Sequence, residues 1–520
     1  MADIWDDNVL EKPNWKDHIQ YFFSDGDIQC MSSRAIDLNS YYGVRLNADR
    51  IHFHTKRGSM PPQQARHWSE IKVRNFYNWM AAGYPEEESQ FKIFSLKQPN
   101  GNRIRRSIRE YESDPIALEK LKKAFRGMME KPLNDPSGYY LLCSIHWLPA
   151  PALYCRHHEN SYNPWHRAYL IAFEDAMREI DGCEDVTLPY WDIQDDYIPD
   201  FLWEEPFSTY EFKTDVKDFR GFIAAKNGDT TTRQPQDNLL DRVREYRDDL
   251  GLTLSDYIDQ ALGASEWQDF NGWTNSNNRR HNGIIMAHDL GHALCGTASV
   301  PGQVNRSLAV PNFAAFDPLF WFFHCNWDRL WWKWQKAVDA TTLDKFTALA
   351  VSEDDPDDWI SDPVVSMLQP FGVHAKDVIN SSDWKIDYET YGSELQIQPF
   401  SFLHGSLGAD KSIHVPNTDI VSIRVKGVNR LLIPGSFYLE LLADDVVIGK
   451  NYIFQSDTPQ FCLSCTKTGR FSLDFSVKIN SIKNKELTVR VICLATSGLK
   501  VMTPEEFGAP KINIRLMLEQ

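Results

Sequence analysis

The sequence lacks the segments that direct proteins into or across membranes. Its 520 residues contain no uninterrupted apolar run near the length of a membrane-spanning helix. The N-terminal stretch MADIWDDNVLEKPNWKD is acidic, whereas a secretory signal has a basic start followed by an apolar stretch. These absences lead us to expect a cytoplasmic protein with no membrane partner.

Positive charge is also scarce. The chain has 55 Lys and Arg against 72 Asp and Glu, a formal net charge of −17, and no basic stripe. Because nucleic acids and anionic lipids are bound through clustered cations, this balance argues against both as main partners. With 42% apolar residues and 17 tryptophans the chain can bury a large core. Its length predicts two or three domains.

Cysteine is sparse and irregularly spaced. The nine cysteines are an odd number without the spacing of a disulfide framework, so we expect most of them to be reduced core residues. No C-x-x-C-H motif is present to attach a haem. Two settings stand apart, because Cys155 precedes His157 by two residues and Cys462 and Cys465 form a C-x-x-C pair.

The periodicity of apolar residues divides the chain into three parts, and no internal repeat is visible. Residues 1–95 contain short helical segments, which we interpret as a surface for packing or for assembly into a homo-oligomer. Residues 96–390 are dominated by helical periodicity, as in the aromatic segment DPLFWFFHCNWDRLWWKWQKAV at 317–338. Residues 391–520 change to short alternating segments rich in β-branched residues, which predicts an antiparallel β-sandwich.

Histidines cluster in the helical part. His288 and His292 are four residues apart and so share one face of a predicted helix, although this spacing alone is weak evidence for a metal. His324 lies in a densely aromatic helix, and Asp328 follows one turn later, where its carboxylate would orient the imidazole. The alternative is an ordinary core histidine that hydrogen-bonds to Asp328.

Three further histidines precede these in the chain. His146 ends an apolar helix, His157 lies in a loop and His166 opens an amphipathic helix. Two sets of three imidazoles, without carboxylate or thiolate ligands, favour copper or zinc over calcium or magnesium.

These segments resemble the type-3 copper family of tyrosinases, catechol oxidases and molluscan haemocyanins. The family's first copper segment has Cys-x-His followed by Trp-His-Arg, as in residues 155–167, and LPYWDI at 188–193 is similar to its Leu-Pro-Tyr-Trp-Asp sequence. The second copper segment has the pattern D-P-x-F-x-x-x-H-x-x-x-D, which residues 317–328 reproduce. The resemblance covers roughly residues 100–345 and implies a four-helix bundle that holds two copper ions.

The resemblance assigns roles to individual residues. It implies a thioether cross-link between Cys155 and His157, which would fix the ring in its loop, with a buried unmodified thiol as the alternative. The copper ligands that it implies are His146, His157 and His166 for the first ion, and His288, His292 and His324 for the second.

The resemblance also implies an activity and its control. Members of the family hydroxylate monophenols at the ortho position and oxidise o-diphenols to o-quinones with dioxygen. A β-rich C-terminal domain covers the site in long members, so residues 391–520 are expected to be a lid that keeps the enzyme latent. Cys462 and Cys465 are candidates for copper delivery, since thiols suit Cu(I), and a redox-neutral buried pair is the alternative. Phe461 is the candidate to plug the cavity.

The sequence departs from the family pattern near the expected substrate. Asp289 follows His288 at a position where the family often has Asn. The family also often has a Glu shortly before this histidine, but the four residues before His288, IIMA, include no acid. Asp289 is therefore the candidate base, and weak monophenol hydroxylation is the alternative. Pro311 stands where some plant members have a bulky Phe, which favours an open approach. This open approach favours a tyrosinase over a pure catechol oxidase. The departure at Asp289 makes a catechol oxidase or an o-aminophenol oxidase without strong monophenol hydroxylation the main alternative.

Two other classes share part of this signal. A haemocyanin-like oxygen carrier would use the same ligands, but such carriers are usually very large chains of repeated units and nothing here repeats. A structural zinc protein is disfavoured, because structural zinc sites prefer ligand sets that contain cysteine.

Overall fold

The computed structural model describes most of the chain. Within the residues that it describes, no helix is both long and apolar enough to cross a membrane. The described residues are 8–10, 13–34, 36–81, 84–87, 96–97, 101–148, 154–195, 197–217, 223–274, 279–297, 304–351, 359–362, 365–389, 420–462, 464–465, 468–495 and 498–515.

The N-terminal part forms a small helical module with a hydrophobic core of its own. Its first helix begins with a capping box, in which Ser24 and Asp27 satisfy each other's backbone N–H groups. Trp15, Phe76 and Trp79 pack in the module's aromatic core. The helices are α1 (Asp25–Ser32), α2 (Tyr41–Leu46), α3 (Ala48–Lys56) and α4 (Glu70–Ala81).

The central part is mainly helical, as predicted. Its first helix begins at Pro115, with Asp114 as the N-cap whose side chain accepts from the N–H of Ala117. The helices are α5 (Pro115–Glu130), α6 (Tyr139–His146), α7 (Tyr162–Arg178), α8 (Gln236–Glu245), α9 (Leu254–Leu262), α10 (Trp267–Asn271), α11 (Ile284–Cys295), α12 (Pro311–Ala314), α13 (Leu319–Ala337) and α14 (Leu343–Ala350).

Helices α6, α7, α11 and α13 carry five of the six predicted ligand histidines and are largely buried. Helix α11 is buried at all 12 positions, which requires close packing against its neighbours. Gly291 allows this approach, because a Cβ atom there would lie 3.0 Å from the ring of Phe323 on α13. The two helices can therefore present histidines to the same space.

Short strands accompany the central helices. The strands are β1 (Arg103–Arg105), β2 (Val216–Lys217), β3 (Ile223–Ala225), β4 (Trp273–Thr274), β5 (Arg279–Arg280), β6 (Met367–Leu368), β7 (Val373–His374) and β8 (Ile386–Tyr388). Strand β1 pairs in parallel with β8 and so links the two ends of the central part.

The C-terminal part contains the predicted β-sandwich, which we call the lid. In β12, the alternate residues Phe471, Leu473, Phe475 and Val477 are buried, as expected for a strand with one face in a core. The elements are β9 (Ile420–Asn429), β10 (Phe437–Ala443), β11 (Val446–Ile453), β12 (Arg470–Lys478), α15 (Ile479–Ile482), β13 (Leu487–Ala495), β14 (Gly498–Met502) and β15 (Lys511–Arg515).

The lid is joined to the central part by strand pairing. Its first sheet has the order β11-β10-β13-β14 and its second the order β15-β9-β12-β5-β4, so two strands of the second sheet come from the central part. Strand β12 pairs in parallel with β5, with Ser472 opposite Arg279 and Leu473 opposite Arg280. The predicted boundary at residue 391 stays a prediction, because residues 390–419 lie outside the described residues.

Candidate metal centre

The first triad of histidines comes from two helices and the loop between them. His146 is the last residue of α6, His157 lies in the loop and His166 lies near the start of α7. The ring centroid of His157 is 5.2 Å from that of His146 and 5.3 Å from that of His166. Ligand atoms of these three residues and of Cys155 all lie within 4.8 Å of one another.

The second triad comes from α11 and α13. His288 and His292 lie one turn apart on α11, with ring centroids 4.5 Å apart, and His324 of α13 lies 5.0 Å from His288. Their ligand atoms also lie within 4.8 Å of one another. The helical spacing of four residues therefore places both α11 imidazoles close enough to bind one metal ion.

The two triads face each other. The rings of His166 and His324 are stacked 4.6 Å apart, and those of His157 and His288 lie 5.4 Å apart. All six side chains are buried. A pair of metal ions held by these rings would share one small, dry space.

Hydrogen bonds at Nδ1 fix the orientation of several rings. His146, His166 and His292 donate to the carbonyl oxygens of Pro311, Tyr162 and Leu308 over 3.2, 2.8 and 2.8 Å. The Nε2 atoms of His146 and His292 are buried without a hydrogen-bond partner among the described residues. An unshared nitrogen lone pair in a buried site is what a metal ion would satisfy.

The six imidazoles are in the neutral form that binds metals. Burial lowers the pKa of His146 to about 3 and holds that of His157, His166, His292 and His324 well below the ordinary range. Burial also lowers the pKa of His288. Neutral nitrogen donors in sets of three suit copper, which accepts low coordination by imidazole.

Cys155 lies against the ring of His157. Its sulfur is 3.0 Å from Nδ1 and 3.7 Å from Nε2, so it approaches the side of the ring on which Cε1 joins the two nitrogens. Burial raises the pKa of Cys155 well above the ordinary value, so the unmodified residue is a neutral thiol. The cross-link stays a prediction, and this proximity supports it.

The interpretation of Asp328 as the carboxylate that orients His324 is wrong. Asp328 accepts hydrogen bonds from Arg105 at 2.9 Å and Arg167 at 2.6 Å, and from the hydroxyl of Tyr388. The Nδ1 atom of His324 has no hydrogen-bond partner among the described residues. Two buried guanidinium groups need the carboxylate as their counter-charge, so Asp328 joins helices α7 and α13 to β1 instead.

Asp289 has several partners at once. One oxygen accepts from Nδ1 of His288 at 3.0 Å, and the other accepts from Arg280 at 2.8 Å and His158 at 2.9 Å. Burial alone would raise the pKa of Asp289, but the charge of Arg280 and the contact with His158 hold it well below the ordinary value. Asp289 is thus an ionised carboxylate that orients a ligand of the second triad, and its role as a base stays a prediction.

The sequence did not single out Phe454, which lies over the centre. It follows β11 of the lid, and its ring is stacked on His292 at a centroid distance of 4.1 Å. It also lies 5.2 Å from His157 and 6.0 Å from His288, and its backbone N–H donates to Asp289 at 3.3 Å. The side chain of Phe461, the residue predicted to plug the cavity, lies outside the described residues.

Cys462 and Cys465 are buried behind the first triad. The backbone N–H of Cys465 donates to the sulfur of Cys462 over 3.2 Å. Burial alone would raise the pKa of Cys465, but the hydrogen bond with Cys462 and the charge of Arg430 lower it. Between them, Ser464 donates to the carbonyl oxygen of His157 and to Glu159. The pair therefore sits within the lid surface that touches the His157 loop.

Two facing triads of buried, neutral imidazoles are suited to hold a dinuclear copper centre of the type-3 class. The comparisons with known proteins agree. A family model described as the common central domain of tyrosinase matches residues 136–337. Polyphenol oxidase 4 of Agaricus bisporus is 23% identical over 265 residues, which cover 41% of this chain and 43% of the relative.

A haemocyanin and a solved tyrosinase are also similar. The A-type haemocyanin units Ode to Odg of Enteroctopus dofleini are 30% identical over 247 residues, 44% of this chain and 18% of the relative. This chain thus spans less than half the length of either of these two relatives. The structure of a tyrosinase from Burkholderia thailandensis matches with a TM-score of 0.55 at 20% identity, over 80% of this chain and 100% of that one, and so shares the fold. Residues 136–337 of this chain are thus similar to the central domain of tyrosinases, which are type-3 copper proteins.

Proposed function

We propose that this chain is a latent tyrosinase, which hydroxylates monophenols at the ortho position and oxidises o-diphenols to o-quinones with dioxygen. The observation that carries the proposal is the pair of facing imidazole triads with the Phe454 ring of the lid lying against them. Such a site would hold two copper ions, and the space that the Phe454 ring fills suits another flat aromatic ring.

Two bound copper ions would supply the place where dioxygen binds and the capacity to take electrons from the phenol. The chain's own residues hold the ligands in place before any substrate arrives. The Nδ1 atoms that donate to backbone carbonyls fix ring orientation, so little reorganisation is needed during reaction. The ring of Phe320 lies 4.1 Å from His324 and 4.9 Å from His146 and helps to exclude water.

The position of Phe454 supports both the substrate class and the latency of this proposal. Its ring is flat, apolar and stacked on a ligand imidazole, and a phenol offers the same shape and the same face. A phenol and the Phe454 ring exclude each other from this space. The lid must therefore move, or be removed, before a phenol reaches the centre.

Asp289 favours a second candidate function, that of a catechol oxidase or o-aminophenol oxidase with weak monophenol hydroxylation. Both carboxylate oxygens are engaged by His288, Arg280 and His158 in the closed state. A base with both oxygens engaged is poorly placed to take the proton of a monophenol, whereas an o-diphenol is oxidised more easily and needs that help less.

The test compares copper-loaded full-length protein with protein from which a protease has removed the lid. Dioxygen uptake is measured with L-tyrosine, L-DOPA and o-aminophenol. After trimming, a tyrosinase consumes dioxygen with all three substrates. A catechol oxidase or o-aminophenol oxidase consumes it with L-DOPA or o-aminophenol but not with L-tyrosine. Reversible oxygen binding without turnover would contradict both functions and indicate a carrier.

Matched histidine variants connect the activity to the site. His324→Gln removes one ligand of the second triad and should abolish uptake and lower the copper content. His281→Gln is the control, because His281 lies outside both triads and its Nε2 donates to the carbonyl oxygen of Gln268 at 3.0 Å.

A further inference from the structure

A fully buried arginine lies where the N-terminal module meets the central part. Arg45 of α2 has no exposed surface, and its Cζ atom lies 5.7, 5.1 and 5.4 Å from the ring centroids of Tyr41, Tyr84 and Tyr154. It also donates to the hydroxyl of Tyr41 over 3.0 Å. A buried guanidinium is costly unless such contacts compensate it, so these rings are closely tied to Arg45.

Only one of the three rings belongs to the central part, and it sits beside the metal centre. Tyr41 and Tyr84 are core residues of the module, whereas Tyr154 belongs to the central core. Tyr154 directly precedes Cys155, and the segment that carries Cys155 and His157 is neither helix nor strand. Without a regular backbone hydrogen-bond pattern, this segment depends on side-chain contacts for its position.

A second line of contact runs from the module to the other flank of the first triad. The carbonyl oxygen of Met80, on α4, accepts from the side-chain amide of Gln369 at 3.0 Å. The carbonyl oxygen of Gln369 in turn accepts from the indole N–H of Trp165 at 2.7 Å. Trp165 directly precedes His166, so the module reaches both sides of the first triad.

The three ligands of the second triad depend less on such contacts. His288, His292 and His324 all lie within helices, whose backbone hydrogen bonds fix their spacing. The first triad contains the one ligand in a loop, His157, and the module contacts Tyr154, three positions before it.

We propose that the N-terminal module, residues 8–84, is a brace for the first copper site, in which Arg45 is a positioning residue that holds Tyr154 and thereby the Cys155–His157 segment. Among the described residues, the contacts of Arg45 are with tyrosines and not with the ligand histidines. The inference rests on the dicopper assignment for its purpose, but its main readout, the labelling of a cysteine, needs neither copper nor turnover.

The test measures alkylation of Cys155 in folded full-length protein prepared without copper, with iodoacetamide and peptide mass mapping. Because joining a thiol to an imidazole carbon is a two-electron oxidation, protein that has held no copper keeps Cys155 as a thiol. Arg45→Met removes the charge and keeps an apolar side chain of similar length. We expect Cys155 to react faster by about tenfold, because the segment opens more often when its anchor is lost. Buried Cys325 should keep its wild-type rate, which separates local opening from general unfolding.

Three companion measurements sharpen the result. Arg45→Lys retains the cation over the rings and should restore most of the protection of Cys155. Arg34→Met, at an exposed arginine of the same module, should change nothing. On copper titration, Arg45→Met should lose about one of two ions per chain, because the second triad is intact.

Two results would overturn the proposal. One is wild-type protection of Cys155 together with two coppers per chain in Arg45→Met. The other is equal acceleration at Cys155 and Cys325, which would show that Arg45 only stabilises the fold. If Arg45→Met does not fold, Tyr154→Leu removes the ring on the central side alone and is judged by the same rates. Absence of oxidase activity in the wild type would refute the proposed function but leave this labelling result standing.

Discussion

Replacing Phe454 with alanine should release activity from the intact protein. The wild-type ring is fully buried and stacked on His292, so its removal leaves a cavity directly over the ligand imidazoles. Phe→Ala changes in cores cost about 3–5 kcal/mol, which here weakens the docking of the lid as well as its internal stability. If about 1.4 kcal/mol of this falls on docking, the open fraction rises about tenfold.

The assay is initial dioxygen uptake with L-DOPA by untrimmed, copper-loaded protein. We expect Phe454→Ala to exceed the untrimmed wild type by at least about tenfold, because both the plug and part of the docking energy are lost. After trimming, the two proteins should be equally active, since residue 454 leaves with the lid.

The control is Phe475→Ala, which removes a ring of the same size from inside the sandwich. Phe475 is 5% exposed and packs close to Gly449, away from the histidines. This variant should weaken the lid without opening a path to the centre. The reasoning is refuted if Phe475→Ala releases as much activity as Phe454→Ala. It is also refuted if untrimmed Phe454→Ala consumes dioxygen no faster than the untrimmed wild type.

Three further predictions concern copper loading, ligand orientation and pH. If the lid cysteines deliver copper, changing Cys462 and Cys465 to serine should lower the copper content of protein made in copper-limited cells, and equal occupancy would exclude delivery. Asp289→Asn should weaken second-site copper binding by about 10–100-fold in a competition titration, because the amide no longer provides the charge that orients His288; unchanged binding would count against that orienting role. Burial and then the charge of Lys56 lower the pKa of His52 to about 4 in the folded protein. Below about pH 6.5 the unfolded chain binds a proton at this histidine and the folded module does not, so acid favours unfolding. Acidification from pH 7 to 4.5 should therefore lower the free energy of unfolding by about 2 kcal/mol more in the wild type than in His52→Gln, as measured by denaturant titration, and parallel pH curves would contradict this.

Local sequence patterns were sufficient to predict which side chains lie together when those residues are close along the chain. His288 and His292 converge because a helix brings residues four apart onto one face, and the alternation in β12 gives a strand with one buried face. The loop position of His157, two residues after Cys155, likewise places the sulfur beside the ring at short range.

Such patterns could not predict contacts between segments that are distant along the chain. Asp328 lies one turn from His324 along the helix, yet the nearby guanidinium groups of Arg105 and Arg167 outcompete the imidazole for its oxygens. A full positive charge binds a buried carboxylate more strongly than a neutral ring does. No spacing in the α13 sequence could reveal that β1 and α7 bring these charges to it.

The sequence by itself therefore indicated the mainly helical core and the β-rich C-terminal part, because these follow from periodicity. Its motifs implied the ligand set only through their resemblance to a known family. Only the tertiary structure decided which residue covers the centre and which residues hold it. Phe454 reaches His292 from 162 positions away along the chain, and Arg45 meets Tyr154 across two separate cores. Such contacts depend on how the lid and the module dock, and docking is set by whole surfaces rather than by any short stretch of residues.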